Sequence, residues 1–325
     1  MFHWLVDGML LVMNITHLLK KVGIGLAAIV GLVLLAVIAI YAWPLKDPAL
    51  RSPKSTTYSY QQADARVRQL VALDTSDTAI KPDCRTTYLP QPQPTGKVVV
   101  LFHGYTPCPS QMSGLAATLF QRGYTVLIPR MIQHGYQDGR RVVPPASRMV
   151  SVVDDYVSVA HGLGADVGVI GISGGAVLST WAAYYRPDVV KRLLVLSPFY
   201  EPNPKQAPRW QLKPLVTLYG GSVSLPDVDN GEYGTYKGLA QYQKIVANLP
   251  SSTRDLTSGA VVYSATDSAI NVTVAVDRVR ELYPAARTYQ VPAEWGLDHD
   301  IVSPEVLKSN AANAYETYSN LYEDR

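Results

Sequence analysis

This chain of 325 residues has little cysteine, little phenylalanine and little net charge, and each shortage narrows what it does. Two cysteines, Cys84 and Cys108, are too few for a zinc ribbon. The formal net charge is +3, and no basic run is long enough to suggest nucleic-acid binding. No G-x-x-x-x-G-K-[ST] occurs, so phosphate-loop nucleotide chemistry is absent. There is no internal repeat and no low-complexity tract. Phenylalanine, at 4, is outnumbered by tyrosine, at 21. Tyrosine packs as an apolar body with a polar tip, at pocket rims as readily as in half-buried positions, so the count alone assigns no role.

Charge is also missing locally. From Val22 to Leu45 no charged side chain occurs, and Val, Ile, Leu, Ala and Gly dominate. Such a stretch is long enough to cross a bilayer as one helix. Lys20 and Lys21 stand just before it, as in a signal-anchor or signal peptide. Lys46, Arg51 and Lys54 follow on the other side and weaken the charge rule for orientation. Ile40 is a mediocre residue two places before a cleavage site at Ala42, which favours an uncleaved anchor. A core helix rarely runs this long without a polar face. The expected organisation is an N-terminal segment 1–21, in which Met13 is an alternative start to Met1, and a transmembrane helix 22–45. A linker and surface helix then span 46–83, and one α/β domain spans 84–325, long enough for a sizeable core.

Residues 167–172 form an apolar, β-branched run that breaks into Gly171-Ile-Ser173-Gly-Gly175, followed at once by a helix-compatible stretch to Tyr185. This is G-x-S-x-G between a strand and a helix, where a sharp turn lifts a serine hydroxyl above the sheet edge. Glycines two before and two after let the segments pass closely. Upstream, the buried-strand run 97–102 leads into His103-Gly104-Tyr105-Thr106. On these motifs the chain resembles the α/β-hydrolase superfamily, in particular its small carboxylesterases and monoacylglycerol-lipase-like members, over residues 84–322. The resemblance implies a mostly parallel sheet with helices on both faces. It also implies an oxyanion hole made by the N–H groups of Tyr105 and Gly174.

Two further residues complete a nucleophilic set. The strand-like run 259–264 is followed by Asp267, at the strand end where catalytic groups gather in open α/β sheets. Of the six histidines, His299 follows a last strand (286–291) and precedes a helix opened by Ser303-Pro304. His134 follows the strand 124–128 and is a candidate pocket residue, while His103 belongs to the oxyanion turn. Ser173, Asp267 and His299 reproduce the chain order of this fold. Asp298 and Asp300 are rival acids, but adjacent side chains seldom reach an imidazole with good geometry. His299 would activate Ser173, and ionised Asp267 would hold its tautomer. No metal or cofactor is required.

After Ser197 the strand–helix alternation stops at a proline-rich stretch, 198–208. In the resembled fold an insertion here covers the serine, so residues 199–250 are expected to wall an acyl pocket, with Trp210, Leu215 and Trp295 as contacts. Two cysteines in an exported chain suggest one disulfide, Cys84–Cys108, against the alternative of two buried thiols. The resulting expectation is a membrane-anchored serine hydrolase acting on small-molecule or lipid esters, its catalytic domain extracytoplasmic. A peptidase, thioesterase or acyltransferase would use the same triad, and a non-catalytic binding protein of the same fold is the remaining alternative. Acyl chain, alcohol and oligomeric state are not legible.

Overall fold

The computed structural model describes residues 2–140, 142–221 and 225–325. They form two units, Met1–Pro44 and Leu45–Arg325. The first is a single helix, α1 (Phe2–Ala42), of which Thr16–Ala42 is long and apolar enough to cross a membrane, with a mean hydropathy of 2.9 over its best window. The helix therefore runs on through the segment expected to precede it, and it stops before Leu45. Pro44 disfavours helical backbone at the residue before it and has no N–H to continue the ladder. Met1 lies outside the described residues.

Among the described residues, the second unit is built on seven strands: β1 (Thr87–Leu89), β2 (Lys97–Phe102), β3 (Thr125–Ile128), β4 (Asp166–Ile172), β5 (Val190–Leu196), β6 (Ser258–Tyr263) and β7 (Arg287–Gln290). Their order is β1-β3-β2-β4-β5-β6-β7. β1 runs antiparallel to β3, and every other pairing is parallel. The central strands read as continuous apolar runs because both faces are covered. In β2, Val98, Val100 and Phe102 enter one apolar layer and Val99 and Leu101 the other, all fully buried. The period of two along a strand dictates this division.

Among the described residues, nine helices cover the two faces of this sheet and the cleft above it. α2 (Tyr60–Ser76), α4 (Ala146–Leu163), α5 (Gly174–Tyr185), α7 (Tyr236–Asn248) and α8 (Val272–Leu282) pack into the first layer. α3 (Ser113–Gln121) and α10 (Ala311–Glu323) cover the other through Leu115, Leu119, Tyr318 and Leu321. α6 (Leu212–Tyr219) stands beside the cleft, and the short α9 (Pro304–Leu307) precedes α10. Cys84 ends a short 3-10 turn, Pro82–Cys84, instead of opening β1.

The stretch expected to be a linker is docked on the domain. Leu50 is fully buried, and its carbonyl accepts the Trp181 indole N–H at 2.6 Å. The Asn248 side chain accepts from Asp47 N–H and donates to the Leu45 carbonyl, both at 2.8 Å. Lys54 N–H donates to the Asp154 carboxylate, whose other oxygen meets Arg186 at 2.6 Å. Asp154 and Arg186 are both buried, and Ser158 takes a further guanidinium proton at 2.9 Å. The pair thus satisfies hydrogen bonds as well as charge.

Candidate active site

Ser173 occupies the single position between β4 and α5, at φ 55° and ψ −119°. Its N–H donates to the Leu196 carbonyl (3.0 Å) and its carbonyl accepts from Phe199 N–H (3.2 Å), which fastens the turn to the end of β5. A methyl group at Gly175 would overlap the carbonyl oxygens of Phe102 and His103, and one at Gly171 would overlap that of Gly175. Both glycines are there because backbone passes backbone.

The ends of β6 and β7 bring two more side chains to this point. His299 Nε2 lies 2.8 Å from Ser173 Oγ, and His299 Nδ1 lies 2.9 Å from Asp267 Oδ2. The Asp267 side chain is fully buried and its Oδ1 accepts from the Ala269 and Ile270 N–H groups at 2.9 and 3.1 Å. Every one of these partners offers a proton, which suits an acceptor-only carboxylate. The imidazole therefore donates from Nδ1 and presents Nε2 as an acceptor to the serine hydroxyl. The rival acids are engaged elsewhere. Asp298 accepts from Ser268, and Asp300 accepts from Val302 N–H, Ser303 N–H and the Ser303 hydroxyl.

The turn after β2 is shaped by His103, which is fully buried. Its Nδ1–H donates to the Gly104 carbonyl at 2.7 Å, and its Nε2 accepts from Met131 N–H at 3.3 Å. Both partners call for the neutral ring. Burial, reinforced by nearby His134 and Arg130, pushes its pKa down to about 3. The Gly104 carbonyl and the Tyr105 N–H point opposite ways in one planar peptide, so the ring that holds the first aims the second. Gly174 opens α5, and its N–H is among those a helix leaves without an intrahelical acceptor. The Tyr105 ring lies against Gly234 and Gly238, where a methyl would overlap it, and its hydroxyl is 3.1 Å from Thr235 Oγ1. The His134 ring lies beside that of His103, tilted by 55° with centroids 4.8 Å apart, and is not among the residues lining the cleft.

Cys84 and Cys108 are disulfide-bonded, with Cα atoms 4.5 Å apart, and tie this loop to the turn before β1. Asp83, Cys84 and Cys108 are the one group among the described residues with metal-ligand spacing, and both of its sulfurs are taken up in that bond.

Ser173 and His299 open into a cleft of about 840 Å³. Leu212, Leu215 and Leu218 of α6, with Phe199 and Leu239, form an apolar wall. Two of the three expected contacts are elsewhere. Trp210 is 63 % exposed on the 3-10 turn before α6, and Trp295 is half-buried against the second apolar layer. The expected cover is also smaller than 199–250. Tyr242 and Ile245 of α7, and Leu249 just after it, are buried in the first apolar layer, and residues 222–224 lie outside the described residues. Sequence reasoning passed over Gln111, whose side chain bridges Gly104 N–H and Asp300. Its only signal is an amide placed in the turn that follows the His103-Gly104-Tyr105 loop.

Residues 93–249 match the family model described as serine aminopeptidase, S33, a span that holds β2 through α7 and stops short of Asp267. A thermostable monoacylglycerol lipase from Bacillus sp. (strain H-257) is 34 % identical over 100 residues, covering 28 % of this chain and 36 % of that protein. The matched region thus spans about a third of that relative's length. Among solved structures, a monoacylglycerol lipase from Paleococcus ferrophilus superposes with a TM-score of 0.55 at 17 % identity, covering 71 % of this chain and 98 % of that one. A structure reported for the metagenome-derived lipolytic enzymes LipS and LipT gives 0.54 at 18 %, covering 73 % and 99 %. The chain has the α/β-hydrolase fold. Ser173, Asp267 and His299 stand beyond the carboxyl ends of parallel strands, the position where open α/β sheets carry their sites.

Proposed function

We propose that this protein is a membrane-anchored serine hydrolase of the α/β-hydrolase superfamily that cleaves carboxylic esters of apolar acyl chains. The carrying observation is the unbroken series Ser173 Oγ, His299 Nε2, His299 Nδ1, Asp267 inside an apolar cleft. Ser173 Oγ attacks the ester carbonyl carbon while His299 Nε2 takes its proton. The carbonyl oxygen becomes an oxyanion that accepts from the N–H groups of Tyr105 and Gly174, each donor worth about 3 kcal/mol. His299 then protonates the departing alkoxide, leaving an acyl-serine. Water repeats the sequence and releases the acid. Asp267 stays ionised throughout and balances the imidazolium.

The substrate class rests on the cleft. Among the described residues its lining carboxylates are Asp298 and Asp300, and both already accept from backbone N–H groups, which weakens each as a binder of a peptide N-terminal ammonium. That favours an ester over an aminopeptidase substrate. The leucine wall and the lipase relatives favour an acyl chain of lipid type. Helix α1 supplies the membrane anchor, and the Cys84–Cys108 bond supports an oxidising, extracytoplasmic location for the domain. A fluorophosphonate probe is expected to label Ser173 stoichiometrically. Ser173→Ala is expected to abolish labelling and the hydrolysis of p-nitrophenyl esters; full activity in that variant would refute the mechanism.

A further inference from the structure

We propose that Gln111 is a positioning residue that couples the oxyanion turn to the histidine loop, two segments far apart in sequence. Gln111 sits in the 3-10 turn Pro109–Met112 and is buried. Its Oε1 accepts from Gly104 N–H at 2.9 Å, and its Nε2 donates to Asp300 Oδ2 at 3.1 Å. The two partners fix the amide orientation, because one offers only a proton and the other only lone pairs. Gly104 is thereby clamped on both sides. Gln111 holds the peptide plane before it, and the His103 ring holds the plane after it, which carries the Tyr105 N–H. Asp300 is the immediate neighbour of His299 and is itself fixed by Val302 and Ser303. Gln111 backbone N–H returns to the Cys108 carbonyl at 2.9 Å, so the bridge stands on the disulfide-bound loop.

The consequence is geometric. Acyl transfer needs the Ser173 base and the oxyanion donors in register at once, and displacements of about half an ångström are enough to matter. Gln111 spans the two elements through one rigid amide, so neither moves without the other.

This inference rests on the serine-hydrolase reading, so its test reads structure as well as turnover, on the full chain in detergent at pH 9. Gln111→Glu sets a carboxylate against Asp300, and Asp300→Asn sets an amide N–H group against the Gln111 N–H group. Each single variant breaks the bridge. Combined, they restore it with the donor and acceptor exchanged, since the new carboxylate accepts both from Gly104 N–H and from the new amide across the bridge. Each single variant is expected to lose roughly 10- to 100-fold in kcat on a short ester, with KM little changed. The double variant is expected to recover to within about threefold of the parent. Amide hydrogen exchange is expected to accelerate in both 103–107 and 298–303 in the single variants and to return to normal in the double. A double variant that loses the product of the single losses overturns the proposal, as does faster exchange confined to one segment. Exchange is read without turnover, so a parent chain that hydrolyses no ester would refute the function and leave the bridge to be judged on exchange.

Discussion

Asp298 gives both carboxylate oxygens to Ser268, accepting its N–H and its hydroxyl at 2.6 Å each. A residue bound in this way, though adjacent to His299 in sequence, is turned from the imidazole toward the neighbouring loop. Asp267→Asn is therefore expected to lower kcat by about 10⁴-fold, the scale for a triad acid that sets the histidine tautomer. Asp298→Asn is expected to stay within about tenfold of the parent, and Asp300→Asn to fall between. Steady-state kinetics on one ester across the three variants checks the ranking, and the reverse order would move the acid to the histidine loop.

His103 gives a second prediction, on pH. Its pKa is depressed to about 3 by burial, against about 6.5 in the unfolded chain. The unfolded state then binds the extra proton first, so stability is complete above pH 6.5 and declines as pH falls toward 3. The slope approaches about 1.4 kcal/mol per pH unit from this group. The ring signals of His103 in NMR spectra are expected to show no titration between pH 4 and 9. A midpoint near 6.5 would mean that the ring is solvated.

The third prediction concerns chain length. Leu215 and Leu218 face the cleft and Trp210 faces solvent. An apolar cleft gains about 0.8 kcal/mol per buried methylene, so kcat/KM should climb along an ester series until the space is filled. Replacing Leu215 and Leu218 with alanine is expected to shift or flatten that optimum while acetate esters turn over as before. Trp210→Ala is expected to leave the profile where it was. Equal loss on short and long esters in the double variant would assign α6 to the fold.

The disulfide supplies a fourth. Cys84 and Cys108, isolated from the native host under denaturing conditions, should resist maleimide until reductant is added. Replacing both with serine should cost about 2–4 kcal/mol in urea denaturation. Immediate alkylation of both cysteines would place the domain in a reducing compartment, and with it would go the argument for the extracytoplasmic side.

The sheet was legible because β2, β4 and β5 are short strands rich in Val, Leu and Ile and bounded by turn residues, as strands buried on both faces of a parallel sheet are. The approach of Asp267 and His299 to Ser173 was legible for a related reason, since each follows the end of a strand and strand ends converge. The contacts above the cleft were not. Helical phase cannot be read across the prolines of 198–208, so Trp210 and Leu215 looked equivalent although α6 turns only one of them inward. Leu50 lies in a short stretch of charged residues and prolines, with no apolar period to mark the segment around it as docked. Gln111 is invisible for a different reason, because both of its partners are set by tertiary folding.

The backbone at Ser173 has a cost that activity measurements do not register. A β-carbon at φ 55° and ψ −119° is disfavoured by about 1–3 kcal/mol, and the surrounding fold absorbs that penalty in every molecule, whether or not substrate arrives. Glycine adopts the same angles without steric penalty and gives back about 0.4–1 kcal/mol through greater freedom when unfolded. Ser173→Gly should accordingly be inert as a catalyst and more heat-resistant than the parent, with a melting temperature a few degrees higher (about 2–4 °C per kcal/mol in domains of this size). The most durable form of this protein would be one that performs no chemistry.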